Sequence, residues 1–303
     1  MFEEFKRQWR TGSMVVRLII INLVVFLILL ATYLLFLPVG GNGPTAELLR
    51  DHYVVQWLRS SADPHFLLHR PWTVITYMFT HTGFFHLFWN MFMLYFGGRL
   101  FEDLLGGRRL LGHYLLGGIA GLLLWVLITN LMPGLSGGPV GSGIIGASAG
   151  VLCVFVGIAA YQPHMLVNLM FIGPVKLMYV AAVFVLLDLV GLGSGDGVAH
   201  EAHMGGALYG LFAAIQLRRG NDWSLRLVNA LDSVWSRIKP GRRPRMRVEK
   251  PFTRSAKSND DAFNKAKHDQ QARIDSILDK ISRSGYDSLS KEEKDMLFKE
   301  GKR

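Results

Sequence analysis

Residues 18–37 read LIIINLVVFLILLATYLLFL, a run with no charged side chain. A helix that crosses the hydrocarbon core of a membrane needs about 20 such residues, at a rise of about 1.5 Å each. The run is longer than the apolar core of a signal peptide and no small-residue cleavage site follows it, so it predicts a retained membrane helix. Hydrophobic residues make up 50% of the 303-residue chain and charged residues 18%, against about 25% in soluble domains. This composition excludes a disordered protein and argues against a single soluble domain.

Further apolar stretches follow the first one, and together they predict an all-α polytopic membrane protein with a six-helix bundle over residues 18–218. The predicted spans are 18–37, 72–98, 110–132, 144–161, 174–193 and 199–217. The last four spans are rich in glycine, which lets helices pack closely in lipid. Residues 38–70 mix aromatic, apolar and charged side chains, so we expect them to form an interfacial loop.

The C-terminal tail is much more charged than the apolar body. Residues 219–303 carry 21 Lys or Arg and 13 Asp or Glu. We expect a basic amphipathic and linker segment over 219–262, which includes an interfacial helix at 222–239, and a small helical hairpin over 263–303. The basic cluster at 241–247 favours contact with anionic lipid. A nucleic-acid partner is not expected, because no aromatic side chains are interleaved with the basic ones and no nucleic-acid-binding fold is recognisable.

Lys and Arg residues also indicate the orientation of the predicted bundle. They are enriched in residues 1–17, in the connection at 99–109, at Lys176 and in the tail, which all fall on one side of the membrane. Cytoplasmic segments carry such an excess. We therefore expect both termini in the cytoplasm, with residues 1–17 as a cytoplasmic N-terminus.

Ser148 lies in the sequence GASAG, residues 146–150, where the fourth predicted span begins. Small residues at this spacing are often contacts between packed helices, so the pentapeptide alone is weak evidence for chemistry. Its position is more informative, because the first N–H groups of a helix have no partner within that helix and carry the positive end of its dipole. Ser148 is therefore a candidate nucleophile.

His203 lies in AHMGGALYG, residues 202–210, at the start of the sixth predicted span and on the same predicted side as Ser148. Gly206 and Gly210 are four residues apart, so they leave one helix face bare for close approach of another helix. This approach would bring Ser148 within hydrogen-bond reach of His203. A serine beside a base is the minimum requirement for nucleophilic catalysis. The simpler alternative is that His203 is a lone histidine in interfacial water.

His86 and Asn90 share one face of the second predicted span, because they are also four residues apart. Both side chains can donate hydrogen bonds to a developing oxyanion. The alternative is a buried polar pair between helices. We expect no metal site, because no ligand spacing joins His81, His86 and His203 to a carboxylate. The single cysteine also excludes a disulfide framework, a cysteine zinc site and an iron–sulfur cluster.

These motifs, over about residues 70–215, resemble the rhomboid family of intramembrane serine proteases, and the charged tail is similar to the tails of some bacterial members. The resemblance implies a Ser148–His203 dyad without an acidic third member, and an oxyanion hole formed by the Ser148 N–H, His86 and Asn90. Gly146, Gly206 and Gly210 would be the structural glycines of this site. Asp188 would be a structural polar contact or a cytoplasm-side group.

The implied function is a serine endopeptidase that cuts transmembrane helices of other membrane proteins near the outer face, without a cofactor. The implied location is the bacterial inner membrane. Two alternatives remain open at this point. The first is a catalytically silent member of the same fold that binds or escorts membrane proteins. The second is a transporter or channel, which would call for paired acidic groups or broken helices in an internal repeat.

Overall fold

The described parts of the protein are mostly helical and fall into two compact units. A computed structural model describes residues 12–136, 143–170, 172–238 and 255–300. The first unit is Met1–Pro240 and the second is Gly241–Arg303.

Helices make up most of the first unit, and two short antiparallel strand pairs complete it. The helices are α1 (Met14–Gly40), α2 (Gly43–Tyr53), α3 (Pro64–His69), α4 (Thr73–Thr76), α5 (Phe84–Leu105), α6 (Gly107–Leu131), α7 (Ser148–Tyr161), α8 (Leu177–Gly191), α9 (His200–Arg218) and α10 (Trp223–Ile238). Short 3₁₀ turns occur at Val55–Trp57, Tyr77–Phe79 and Pro133–Leu135. Strand β1 (Ser60–Ser61) pairs with β2 (Gly143–Ile144), and β3 (Leu166–Leu169) pairs with β4 (Gly173–Lys176).

The start of α1 is held by a carboxylate from α5. Glu102 accepts hydrogen bonds from the backbone N–H groups of Met14 at 2.7 Å and Val15 at 3.1 Å. These N–H groups have no partner within α1, so the two bonds cap the helix and also join α1 to α5. The hydroxyl of Ser13 accepts a third bond, from the N–H of Val16 at 3.3 Å.

Helix α7 lies at the centre of the first unit and packs against α5, α6 and α9. Its residues 149–159 are all buried, as expected for a helix that is apolar on every side. Glycines on the neighbouring helices allow this close packing. A Cβ atom at Gly206 or Gly210 on α9 would overlap the carbonyl oxygens of Ala149 and Cys153 on α7.

Two helices, α1 and α6, are long and apolar enough to cross a membrane. Helices α7 and α8 are apolar but have only 14 and 15 residues. At about 1.5 Å per residue they extend roughly 21–23 Å, which is less than the hydrocarbon core of about 30 Å. Length and composition thus identify two of the six predicted spans, and the six-span count stays a prediction.

Two of the predicted spans contain extended backbone before their helix begins. Within 72–98, the chain forms α4 and a 3₁₀ turn, is extended at Thr80 and Gly83, and only then enters α5. Within 144–161, α7 begins at Ser148 because Gly146 has a φ of +115°, which is not a helical conformation. Hydropathy alone does not separate an apolar helix from an apolar loop that leads into it.

Helix α10 is the amphipathic segment for which the sequence predicts an interfacial position, and it packs against α6. Arg108 donates to Asn229 at 2.8 Å and to Asp232 at 2.6 Å, and Arg109 donates to Asp222, the residue just before α10, at 2.5 Å. These bonds therefore attach α10 to α6 within the first unit.

The second unit contains α11 (Ser255–Ser284), a 3₁₀ turn (Tyr286–Ser288) and α12 (Lys291–Glu300). Ser290 and Glu293 form the reciprocal capping-box bonds that their spacing predicts, at 2.7 and 3.2 Å. The Ser290 amide and the Lys280 ammonium hold the pKa of Glu293 below its ordinary value. The basic cluster at 241–247 lies outside the described residues.

Candidate active site

Ser148 is the first residue of α7, and two hydrogen bonds donated by backbone N–H groups fix the loop before it. The N–H of Gly146 donates to the carbonyl of Tyr77 at 2.9 Å, and the N–H of Ala147 donates to Nε2 of His81 at 3.3 Å. A Cβ atom at residue 146 would lie 2.6 Å from Nε2 of His86. Only glycine fits there, because the position combines a positive φ with this close imidazole ring.

His203 lies in the first turn of α9 and contacts Ser148 directly. Its Nε2 atom is 2.7 Å from Oγ of Ser148, although 55 residues separate the two in sequence. The glycine face of α9 makes this contact geometrically feasible, since Gly206 lies against the backbone of Ala149. The sequence predicts this pairing from the same glycines.

His86 and Asn90 on α5 line the same cavity as Ser148 and His203. Asn90 is buried and donates one amide hydrogen to the carbonyl of His86 at 2.8 Å, which leaves its second amide hydrogen for another acceptor. His81, which the sequence places nearby, is fully buried, and its ring centroid is 4.9 Å from that of His86. The predicted donors are thus grouped around the serine.

A cavity of about 520 Å³ connects these polar groups. Its remaining walls are largely apolar, and they include side chains from α5, α7 and α8. These wall residues are Trp89, Met93, Val151, Leu152, Phe155, Phe184 and Leu187. A few convergent polar groups within an apolar cleft are typical of a site that binds and orients a substrate.

Asp188 lies in the structure beside His203, a contact that the sequence does not predict. The sequence predicts a structural polar contact or a cytoplasm-side group at this position. Asp188 lies near the C-terminal end of α8, lines the cavity, and its Oδ1 is 2.7 Å from Nδ1 of His203. The resemblance implies a dyad without an acidic third member, whereas the structure places this carboxylate in contact with His203.

His200 and Asp196 extend this set of polar contacts. Nδ1 of His200 is 2.7 Å from the same Oδ1 of Asp188, and Nε2 of His200 is 3.2 Å from Asp196. Asp196 lies in the exposed connection between α8 and α9. Its pKa is lowered mainly by the hydrogen bond from the Val198 amide and also by the contact with the His200 ring. The sequence alone assigns no role to His200. The available signal was a single carboxylate in the apolar α8, followed by an H-x-x-H spacing.

Asp188, His200 and His203 are also the described residues that could hold a metal ion. Each offers one ligand atom, and these atoms lie within 4.8 Å of one another. This group differs from the one considered from the sequence, which was His81, His86 and His203. The nitrogen and oxygen atoms concerned already form hydrogen bonds with one another, so the arrangement is satisfied without an ion.

Comparisons with known proteins identify two regions of the chain. A family of unknown function, DUF6576, matches residues 257–300. The inactive RHOMBOID-like protein 8 of Arabidopsis thaliana is 34% identical over 110 residues, which are 36% of this chain. The match spans only 30% of the length of that relative. The rhomboid domain matches residues 68–220. Because that region is half of the chain and contains the whole cavity described above, this protein belongs to the rhomboid family of membrane proteins.

Proposed function

We propose that this protein is an intramembrane serine endopeptidase that uses Ser148 as nucleophile and His203 as general base. The observation that carries the proposal is the 2.7 Å contact between Oγ of Ser148 and Nε2 of His203. The two side chains face a cavity large enough to admit a short stretch of peptide. A serine hydroxyl becomes nucleophilic when an adjacent base accepts its proton.

The groups around Ser148 suit the charge that develops on a peptide carbonyl during attack. The Ser148 N–H belongs to the first turn of α7, where amide groups lack partners within the helix. His86 and the second amide hydrogen of Asn90 are the other donors on this side of the cavity. Together they would form the oxyanion hole, which stabilises the tetrahedral intermediate.

The substrate that suits this site is a transmembrane helix of another protein. The apolar walls from α5 and α8 favour an apolar segment over a soluble peptide. A regular helix hides its carbonyl groups in hydrogen bonds. Cleavable segments should therefore contain Gly, Ser or Pro near the cut, because these residues disfavour the helix relative to Ala and Leu.

We extend the proposal to six membrane spans, with both termini in the cytoplasm and the cavity open toward the outer face. The bacterial inner membrane is the proposed location. The enrichment of Lys and Arg on one side of the apolar stretches supports this orientation. Anionic lipid is the proposed contact of the basic residues that follow α10.

A catalytically silent binding or escort factor is the second candidate. The name of the Arabidopsis relative favours it, since that protein is called inactive. In the present chain the nucleophile and the base are both present and in contact. An inactive protein has no need to keep this pair, so we place the endopeptidase first.

A fluorophosphonate probe, which reacts with activated serines, separates the two candidates. We expect the purified protein in detergent to be labelled, and we expect Ser148→Ala and His203→Ala to abolish labelling. Ser236→Ala and His164→Ala are matched controls, because both residues are exposed and lie outside the cavity. Folded wild-type protein without labelling would support the silent binding factor.

Asn90→Ala is expected to reduce cleavage of a transmembrane substrate by up to about 100-fold without abolishing it, because one oxyanion donor is lost. Asn90 would act through its second amide hydrogen, because the first is bound to the carbonyl of His86. The measurement is the cleavage rate in liposomes. Cleavage at the wild-type rate would remove Asn90 from the oxyanion hole.

A further inference from the structure

Both ring nitrogens of His203 have a partner. Nε2 is 2.7 Å from Oγ of Ser148, and Nδ1 is 2.7 Å from Oδ1 of Asp188. The three side chains come from three different helices, α7, α9 and α8. This line of contacts has the connectivity of a serine–histidine–carboxylate triad.

We propose that Asp188 is a positioning residue that holds His203 in the tautomer needed to accept the Ser148 proton. The inference rests on the proposed endopeptidase function. An ionised carboxylate only accepts hydrogen bonds, so Nδ1 of a neutral His203 must be the protonated nitrogen. Nε2 then presents a lone pair to the hydroxyl of Ser148.

The placement of Asp188 argues that the carboxylate has a function. It belongs to the apolar helix α8, and 12% of its side chain is exposed. An ionisable side chain within a membrane segment is costly unless it faces the interior of the bundle and finds a partner. A purely structural link between α8 and α9 would be satisfied by the bond to His200 alone.

His200 bridges the carboxylates of Asp188 and Asp196. Its two nitrogens face carboxylate oxygens, Asp188 at 2.7 Å and Asp196 at 3.2 Å. Both nitrogens can donate at once only when the ring is the imidazolium cation. An ionised Asp188 can accept from both rings, because Nδ1 of His200 and Nδ1 of His203 each lie 2.7 Å from its Oδ1.

The chemical role of Asp188 follows from the steps of the proposed reaction. As Oγ of Ser148 bonds to the carbonyl carbon, the Ser148 proton moves to Nε2 of His203 and the carbonyl electron pair moves to its oxygen. When the C–N bond breaks, that proton moves to the departing amine. Water then releases the acyl group in a second pass, with His203 again as base. Asp188 gains no proton in either pass and holds Nδ1–H throughout.

The first test is the kinetics of Asp188→Asn in the full-length protein. In a serine–histidine–aspartate triad the change from acid to amide lowers kcat by about 10⁴-fold, because the amide permits the wrong tautomer. Since Asp188 is shared with His200, we expect a fall in kcat of about 10²- to 10⁴-fold, with KM little changed, and partial recovery in Asp188→Glu. His200→Asn removes the other bond to Asp188 but leaves the contact of Asp188 with His203 in place, so it should lower kcat less than Asp188→Asn. Unchanged kcat in a folded Asp188→Asn protein would overturn the proposal.

The second test does not depend on cleavage. Protein with ¹⁵N-labelled histidine reports by NMR which ring nitrogen carries the proton, and His203→Gln identifies the signals of residue 203. We expect the wild type to have Nδ1 protonated, and Asp188→Asn to show a mixture of tautomers. A wild-type ring with Nδ1 unprotonated would overturn the proposal, even if the aspartate variants do not fold.

A metal ion at the same side chains is the competing explanation. We expect EDTA to leave fluorophosphonate labelling of the wild type unchanged. Loss of labelling in EDTA, with recovery in Zn²⁺, would make Asp188, His200 and His203 metal ligands and would overturn the positioning role. Failure of the endopeptidase proposal looks different, because the wild type itself would then lack Ser148-dependent labelling.

Discussion

Ser148→Ala is expected to abolish peptide-bond cleavage by the purified protein. Removing the serine nucleophile of a serine protease costs about 10⁶-fold in kcat, because no other group forms the acyl-enzyme. Among the serines that the structure describes, Ser148 is the one whose hydroxyl contacts a histidine ring. Cleavage of a transmembrane substrate in liposomes should therefore fall to the rate without protein.

The double variant Ser148→Ala/His203→Ala sharpens this test. Residues that act as one unit are strongly non-additive, so the double change should cost about as much as either single change. Ser236→Ala should retain the wild-type rate, because this exposed serine donates to the carbonyl of Ser233 within α10 and lies outside the cavity. Turnover that persists in purified Ser148→Ala would contradict the assigned nucleophile.

The contact between Ser148 and His203 could be predicted from sequence because its causes are local. A glycine-rich segment precedes Ser148, and Gly206 with Gly210 leaves one face of the His203 helix bare. The structure has both features, since the glycine face lies against the backbone of α7. Sequence spacing is informative when residues share one helix and when small side chains decide which helices approach.

The contact of Asp188 with His203 could not be predicted in the same way. Asp188 and His203 belong to different helices, and the 192–199 connection decides which ends meet. Hydropathy marks Asp188 as unusual within α8, but it gives neither the rotation of α8 nor the direction of the side chain. For the same reason, the sequence does not predict that the Asp188 carboxylate contacts both His200 and His203.

Helix boundaries were less predictable than helix identity. Residues 72–83 belong to the apolar stretch that predicts a span over 72–98, yet α5 begins only at Phe84. The extended backbone before α5 places His81 where its ring accepts the Ala147 amide. A tertiary contact, rather than local propensity, therefore decides where the apolar segment becomes helical.

Gly206→Ala provides a test of the packing on which the contact between Ser148 and His203 depends. In an exposed helix interior, alanine stabilises relative to glycine by up to about 1 kcal/mol. At residue 206 the added Cβ would overlap the carbonyl oxygen of Ala149, and it would also lie 2.8 Å from the Ala149 carbonyl carbon. Backbone atoms cannot rotate away as a side chain can, and overpacking of this kind costs about 1–3 kcal/mol. The overlap should therefore outweigh the propensity, and thermal denaturation should show a less stable protein.

The same substitution should slow the reaction, because α9 carries both Gly206 and His203. Moving α9 away from α7 separates His203 from Ser148, and a displacement of about 1 Å can cost about 100-fold in rate. Gly134→Ala is the matched control, since no atom lies within 4 Å of a Cβ at that position. The rate of fluorophosphonate labelling measures the effect without a natural substrate. A Gly206→Ala protein that is more stable than the wild type and is labelled equally fast would mean that α7 and α9 do not meet at this glycine. The short distance between Ser148 and His203 would then need another structural explanation.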